Sequence, residues 1–154
     1  MLTKKESYNV AVVGATGIVG ESLLEILYSR RFPISSIHAV ASKKSKGSKA
    51  KFGDQLLTVE SLDEFNFTDI DIAFFSAGSS VSKEYATKAT TQGCIVIDNT
   101  SEFRYEQDIP LVVPEVNPQD IDLYKHKNII ANPNCSTIQM LVALKPLHDT
   151  FCVK

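Results

Sequence analysis

The sequence predicts an α/β domain: a doubly wound, mostly parallel sheet with helices on both faces. Three observations predict it. Short runs rich in Val, Ile and Ala alternate with segments of helical period along most of the chain. The runs near the start and middle are continuously apolar, as strands buried on both faces are. A glycine-rich turn joins the first run to the first helical segment. The length of 154 residues suits one compact domain, and 44% apolar with 22% charged residues is an ordinary globular balance.

Taken in order, residues 8–13 form a Val-rich run ending at Gly14 and read as a buried strand. Residues 18–29 place Ile18, Val19, Leu23, Leu24 and Leu27 at helical spacing, with Pro33 just beyond as a stop signal. Residues 36–41 read as a second strand, followed by a lysine-rich loop and a short strand at 55–60. Residues 70–76 read as a central strand and 79–92 as a helix, with Gly93 placed to terminate it. Residues 94–98 form the next strand. Pro110, Pro114 and Pro118 punctuate a long connection. Residues 118–124 read as a short helix with Asn117 as its cap and Pro118 in its first turn. Residues 128–131 are a strand and 136–147 a helix that tolerates Pro146 near its end.

Composition excludes several classes of function. A net charge of −2 lacks the positive field that nonspecific nucleic-acid binding needs. No run reaches the roughly 18 apolar residues of a membrane span. Residues 1–8 are polar, with no apolar signal core, so the expected location is cytoplasmic. Cys94, Cys135 and Cys152 are odd in number and far apart, which argues against a disulfide framework. His38, His126 and His148 are scattered, and no Cys or His spacing points to a metal.

Gly14-Ala15-Thr16-Gly17-Ile18-Val19-Gly20 joins the first strand to the first helix. Glycines there permit a tight turn and close approach of backbone to a pyrophosphate. The helix start adds free N–H groups and about half a positive charge. The spacing G-x-x-G-x-x-G is a variant of the usual fingerprint, but its place between strand and helix predicts a Rossmann-type dinucleotide-binding domain. NAD-binding members of this class hold the ribose 2′-hydroxyl with an acid about 20 residues on. Here no acid lies between His38 and Gly53, while Lys43, Lys44, Lys46, Lys49 and Lys51 do. Ammonium and hydroxyl groups suit a 2′-phosphate, so NADP is expected over NAD. The plainer alternative is a solvated basic loop.

Asn132-Pro133-Asn134-Cys135-Ser136-Thr137 lies where a strand meets a helix. A thiolate at a helix amino terminus is stabilised by the dipole and free N–H groups, and it can attack a carbonyl carbon. Cys94 and Cys152 read as structural. Arg104 offers a bidentate match to phosphate, or alternatively a surface ion pair with Glu102 or Glu106. Asn99 and Glu115 read as cap or loop residues.

Several segments together resemble the aspartate-semialdehyde dehydrogenase family. They are the glycine loop, Phe74-Phe75-Ser76-Ala77-Gly78, Asp98-Asn99-Thr100-Ser101-Glu102-Phe103-Arg104, Val112-Val113-Pro114-Glu115-Val116-Asn117, and the cysteine turn. The resemblance implies NADPH-dependent reduction of aspartyl-4-phosphate to aspartate semialdehyde and phosphate, in lysine, methionine, threonine, isoleucine and diaminopimelate biosynthesis. It implies that Cys135 carries the acyl group, Arg104 binds the substrate phosphate and Asn134 helps to place the substrate. Gly14, Thr16, Gly17, Ile18, Val19 and Gly20 would cradle the pyrophosphate. Ser42, Lys44 and Ser45 would hold the 2′-phosphate, and Ser76, Ala77 and Gly78 would line the cofactor cleft. Family members often carry Arg where Lys44 stands.

Family enzymes are longer, and their catalytic histidine and further substrate residues lie beyond Cys135. The expected organisation is therefore residues 1–134 as nucleotide domain and 135–154 as the start of a second, catalytic and dimerising unit. This piece would bind NADP without turnover, and the whole enzyme would be a homodimer or homotetramer. The alternatives are an N-acetyl-γ-glutamyl-phosphate reductase and a non-catalytic nucleotide-binding or redox-sensing module.

Overall fold

The computed structural model describes residues 4–153; Met1–Thr3 of the polar opening and Lys154 lie outside that range. Eight strands and three α-helices follow one another as β1 (Tyr8–Val13), α1 (Ile18–Ser29), β2 (Ile34–Ala41), β3 (Lys49–Phe52), β4 (Gln55–Thr58), β5 (Glu60–Ser61), β6 (Ile72–Phe75), α2 (Ser79–Thr91), β7 (Ile95–Asp98), β8 (Ile129–Ala131) and α3 (Cys135–Phe151). Two 3₁₀ segments, Lys43–Ser45 and Pro118–His126, complete the described chain.

The main sheet has six strands in the order β5-β2-β1-β6-β7-β8, and every pairing is parallel. The strand order reverses between β1 and β6. That is the switch point at which open α/β sheets form a crevice beyond their carboxyl ends. Because successive side chains of a strand face opposite ways, β1 feeds both layers. Val10 and Val12 pack with Leu24, Leu27, Ala39 and Ala41 beneath α1. Ala11 and Val13 pack with Ala73, Phe75, Ala86 and Val96 beneath α2. Phe65, Phe67 and Phe75 form a contiguous aromatic row in the second layer, with centroids 4.9 and 6.1 Å apart. Leu24 is wholly buried, and a side chain of that size contributes about 1.5–3 kcal/mol by leaving water.

The doubly wound fold and its helices stand as expected, and α1 occupies the expected residues. Two local expectations are corrected. The lysine-rich stretch is not a loop throughout. It makes a 3₁₀ turn and then β3, which pairs antiparallel with β4 as a separate hairpin. The β3 sequence Lys49-Ala50-Lys51-Phe52 alternates, with Ala50 buried and both lysines exposed. Ring contacts between Tyr28 of α1 and Phe52 hold the hairpin to the helix. The second correction concerns Asn117, which stands at the N-cap position as expected but caps with no side-chain hydrogen bond. Its Oδ1 accepts from Val113 N–H at 2.9 Å, and its Nδ2 donates to Leu111 O and Asp120 Oδ2. The side chain closes the preceding proline-punctuated turn instead.

Helix α3 buries none of its 17 residues, and Met140, Val142, Leu144, Leu147 and Phe151 are exposed along it. Among the described residues, no helix is long and apolar enough to cross a membrane.

Candidate functional site

The switch point fixes the first half of the site. The turn after β1 places Gly14 at φ +91°, a conformation in which an L side chain is strained. A Cβ there would also meet Ser76 Oγ at 2.9 Å. Ser76, just past β6, donates from its N–H and its Oγ to Val13 O at 2.9 and 3.0 Å, which seals the ends of β1 and β6 together. Gly17 is the N-cap of α1 and has no side chain to offer the first turn. The first helical bond runs from Glu21 N–H to Gly17 O, so the N–H groups of Ile18 and Val19 are left for a ligand. Gly20 is buried, and a Cβ on it would lie 2.1 Å from Gly14 O. The three glycines thus do different work: turn, open helix start, and close packing of α1 on β1.

A cleft of about 720 Å³ opens over this turn, within the size range of small-molecule sites. Gly14, Thr16, Gly17, Ser76 and Ala77 form its floor and Ser42, Lys43 and Lys44 one wall. Ile18 and Val19, which follow Gly17, are exposed, and Gly78 follows Ala77 as the N-cap of α2 at φ +99°. Ser45 does not line the cleft; its N–H is bonded back to Ser42 O within the 3₁₀ turn.

The charge around the cleft differs from the linear count of five lysines. Lys46 is bound to Glu64 at 2.5 Å, and that hydrogen bond and charge hold the Glu64 carboxyl below its usual range. Lys49 donates to Thr58 across the hairpin. Only Lys43 and Lys44 reach the cleft. The cleft is also lined by two acids, Asp63 and Glu84, and by Tyr85, none of which a sequence motif marks. Tyr85 Oη donates to Asp63 Oδ1 at 2.9 Å, and this bond, with desolvation, pushes the phenol up to about 12.

The second half of the site forms at the carboxyl ends of β7 and β8. Asp98, the last residue of β7, is fully buried. Its carboxylate accepts from Ser82 Oγ of α2 at 2.6 Å and from Thr100 Oγ1 at 2.7 Å. Two hydroxyl donors satisfy a charge that would otherwise be costly to bury. Arg104 makes neither expected ion pair with Glu102 or Glu106. Its Nε donates to Asn132 O at 3.0 Å and its Nη2 to Asn99 O at 3.1 Å, while Nη1 has no partner among the described residues. Asn132 Nδ2 donates to Asn99 Oδ1 at 2.5 Å.

From Asn132 the chain passes into α3. Asn134 is its N-cap, with Oδ1 accepting from Ser136 N–H at 2.9 Å. Cys135 is the first helical residue and is exposed, its Sγ 3.8 Å from Asn134 Oδ1. Cys94 is the opposite case: burial, with the negative charge of Asp71 adding to it, pushes its thiol up to about 12.

A six-stranded parallel sheet with a glycine turn and helix start at its switch point defines a dinucleotide-binding domain. More narrowly, the chain belongs to the semialdehyde dehydrogenase family, whose NAD-binding domain matches residues 9–124. It is 58% identical over 141 residues to an aspartate-semialdehyde dehydrogenase of Legionella pneumophila, covering 92% of this chain and 41% of that protein. The crystal structure of aspartate semialdehyde dehydrogenase II complexed with ASA from Vibrio cholerae superposes with a TM-score of 0.90 at 52% identity, over 93% of this chain and 47% of that one. The Candida albicans aspartate semialdehyde dehydrogenase with NADP gives 0.77 at 32% identity, over 94% of this chain and 48% of that one. The chain therefore spans less than half the length of these relatives.

Proposed function

We propose that this chain is the nucleotide-binding and thiol-bearing part of an NADP-dependent aspartate-semialdehyde dehydrogenase. The observation that carries the reading is the placement of Cys135 at the start of α3, on the same sheet edge as the glycine turn. Cys135 Sγ attacks the acyl carbon of aspartyl-4-phosphate and phosphate leaves, which yields a thioester on the sulfur. A nicotinamide held over the cleft would supply a hydride, which would reduce this thioester to the aldehyde and free the thiolate. Free N–H groups at the start of α3 stabilise the carbonyl oxygen as it gains charge. Arg104 Nη1, left over from the backbone clamp, binds the substrate phosphate, and Asn134 orients the substrate beside the thiol. The floor residues Gly14, Thr16 and Gly17, with Ile18, Val19 and Gly20 of α1, cradle the pyrophosphate. Ser76, Ala77 and Gly78 border the nicotinamide end.

Ser42 and Lys44 hold the 2′-phosphate, with Ser45 behind them. The support is that Ser42, Lys43 and Lys44 line the cleft together at the end of β2, with no acid in the chain between His38 and Gly53. Residues 1–134 form the nucleotide domain and 135–154 begin a second unit. In support, α3 leaves Met140, Leu144 and Phe151 uncovered by the sheet domain. Calorimetric titration tests the cofactor assignment. NADP is expected to bind about tenfold to a hundredfold more tightly than NAD, the value of one to two phosphate contacts. Lys44→Glu is expected to weaken NADP far more than NAD. Equal affinities in the unaltered protein would overturn the preference.

A further inference from the structure

We propose that Asn99 is a positioning residue that sets the Arg104 guanidinium against the Cys135 turn. The inference rests on the assignment of Arg104 and Cys135 to one anion-binding thiol site. Three residues from two loops form a closed ring of hydrogen bonds. Arg104 holds the main-chain oxygens of Asn99 and Asn132, and the Asn132 amide is in turn held by the Asn99 side chain. The ring is anchored to the sheet at both ends. Asn99 N–H donates to Phe75 O at 2.9 Å, and Asn132 N–H to Asp98 O at 2.8 Å. Asn132 stands two residues before the N-cap Asn134 and three before Cys135.

Two bonds alone would let the guanidinium and the Asn132 turn shift together. The Asn99–Asn132 bond is the third side, and it sets the distance between the two loops. Asn99 gives its main-chain oxygen to Arg104 and its side-chain oxygen to Asn132. It acts through Arg104 and through the turn that carries the thiol, by deciding where the unused Nη1 points. Truncating Asn99 leaves the half-buried Asn132 amide without its acceptor, so the two loops keep their main-chain anchors and lose the side-chain tie between them.

The test compares two alkylating reagents on the purified chain, iodoacetate, which is anionic, and iodoacetamide, which is neutral. Their rates at Cys135 are resolved by peptide mass spectrometry. The ratio of the rates reports a positive charge placed beside the thiol. Cys152, exposed at the other end of α3, serves as the internal reference. Arg104→Gln is expected to lower the ratio at Cys135 and leave it unchanged at Cys152. Asn99→Ala is expected to lower it by about threefold to tenfold, as a displaced hydrogen-bond-sized interaction would. Asn132→Ala breaks the same bond and is expected to give the same drop, and the double variant no further drop. Asn132→Ala also carries the test if Asn99→Ala does not fold. General loosening would raise both rates together and leave the ratio alone. An unchanged ratio in Arg104→Gln defeats the assignment of Arg104 and this inference with it. A lowered ratio in Arg104→Gln with no change in Asn99→Ala, or additive drops in the double variant, defeats the inference alone.

Discussion

Replacing Gly20 by alanine is expected to damage this protein more than its small size suggests. Gly20 faces the turn that follows β1. An added Cβ would lie 2.1 Å from Gly14 O and 2.7 Å from Ala15 Cα. Ordinary contact begins at 3.4 Å, so 3.4 less 2.1 leaves about 1.3 Å of overlap to relieve. That is nearly the 1.5 Å rise of one helical residue. Both obstacles are backbone, so no side-chain rotation helps, and either α1 lifts or the glycine turn flattens. Overpacking of this kind costs about 3 kcal/mol, the upper end of its range. The better helix propensity of alanine returns about 1 kcal/mol. The net loss of about 2 kcal/mol corresponds to roughly 4–8 °C in melting temperature for a domain of this size. Gly17→Ala is the control, because its Cβ would find Gly14 O at 3.4 Å and φ is −94°. It should lose only about 0.5–1 kcal/mol, the cost of alanine in place of glycine at an N-cap. Urea denaturation of both variants decides the matter. A Gly20→Ala protein as stable as Gly17→Ala would refute the packing role assigned to the third glycine.

Four further outcomes are expected. Alkylation at neutral pH should label Cys135 and Cys152 and spare Cys94. The raised Cys94 thiol should contribute stability that is constant below about pH 9 and falls between pH 9 and 12, as the unfolded chain ionises first; Cys94→Ala should abolish that slope. Ser82→Ala removes one of two donors to the buried Asp98 carboxylate and should cost about 1–3 kcal/mol in urea denaturation; a loss under 0.5 kcal/mol would mean the bond is replaced. The chain by itself should not oxidise aspartate semialdehyde in the presence of phosphate. His148 lies 13 residues beyond Cys135 on α3, about 20 Å at the helical rise, and His38 is tied to Glu60. Turnover that vanishes in Cys135→Ser would place a proton-transfer group within these residues.

Periodicity and punctuation made the sheet legible. Tyr8–Val13, Ile18–Ser29 and Ser79–Thr91 carry their own patterns, so each element announces itself locally. The β3 strand did not, because four residues of Lys-Ala-Lys-Phe are too short an alternation to separate from a basic loop. Charge counting failed for a related reason. Sequence shows that five lysines follow β2, but the tight turn decides that Lys46 meets Glu64 while Lys43 and Lys44 face the cleft. Asp63 reaches the cleft because β5 pairs with β2, and Glu84 and Tyr85 because α2 packs on β6 and β7; no nearby motif marks them. Asn99 and Asn132 are 33 residues apart and meet because their strands are neighbours. Asn117 stands where a cap should, yet its side-chain oxygen accepts from Val113 N–H behind it and not from the helix.

The parallel sheet also acts as a ruler. Ser76 N–H donates to Val13 O, Asn99 N–H to Phe75 O, and Asn132 N–H to Asp98 O. This row of bonds fastens the ends of β1, β6, β7 and β8 at successive strand spacings of about 4.8 Å. Three spacings put the turn before Cys135 about 14 Å from the glycine turn. An elongated ligand seated by its middle over β1 must therefore run across the strand ends, towards β8, to bring a reactive end to the sulfur. The direction of binding is written into the order of the strands, and a ligand too short to cross them would occupy the cleft without meeting the thiol.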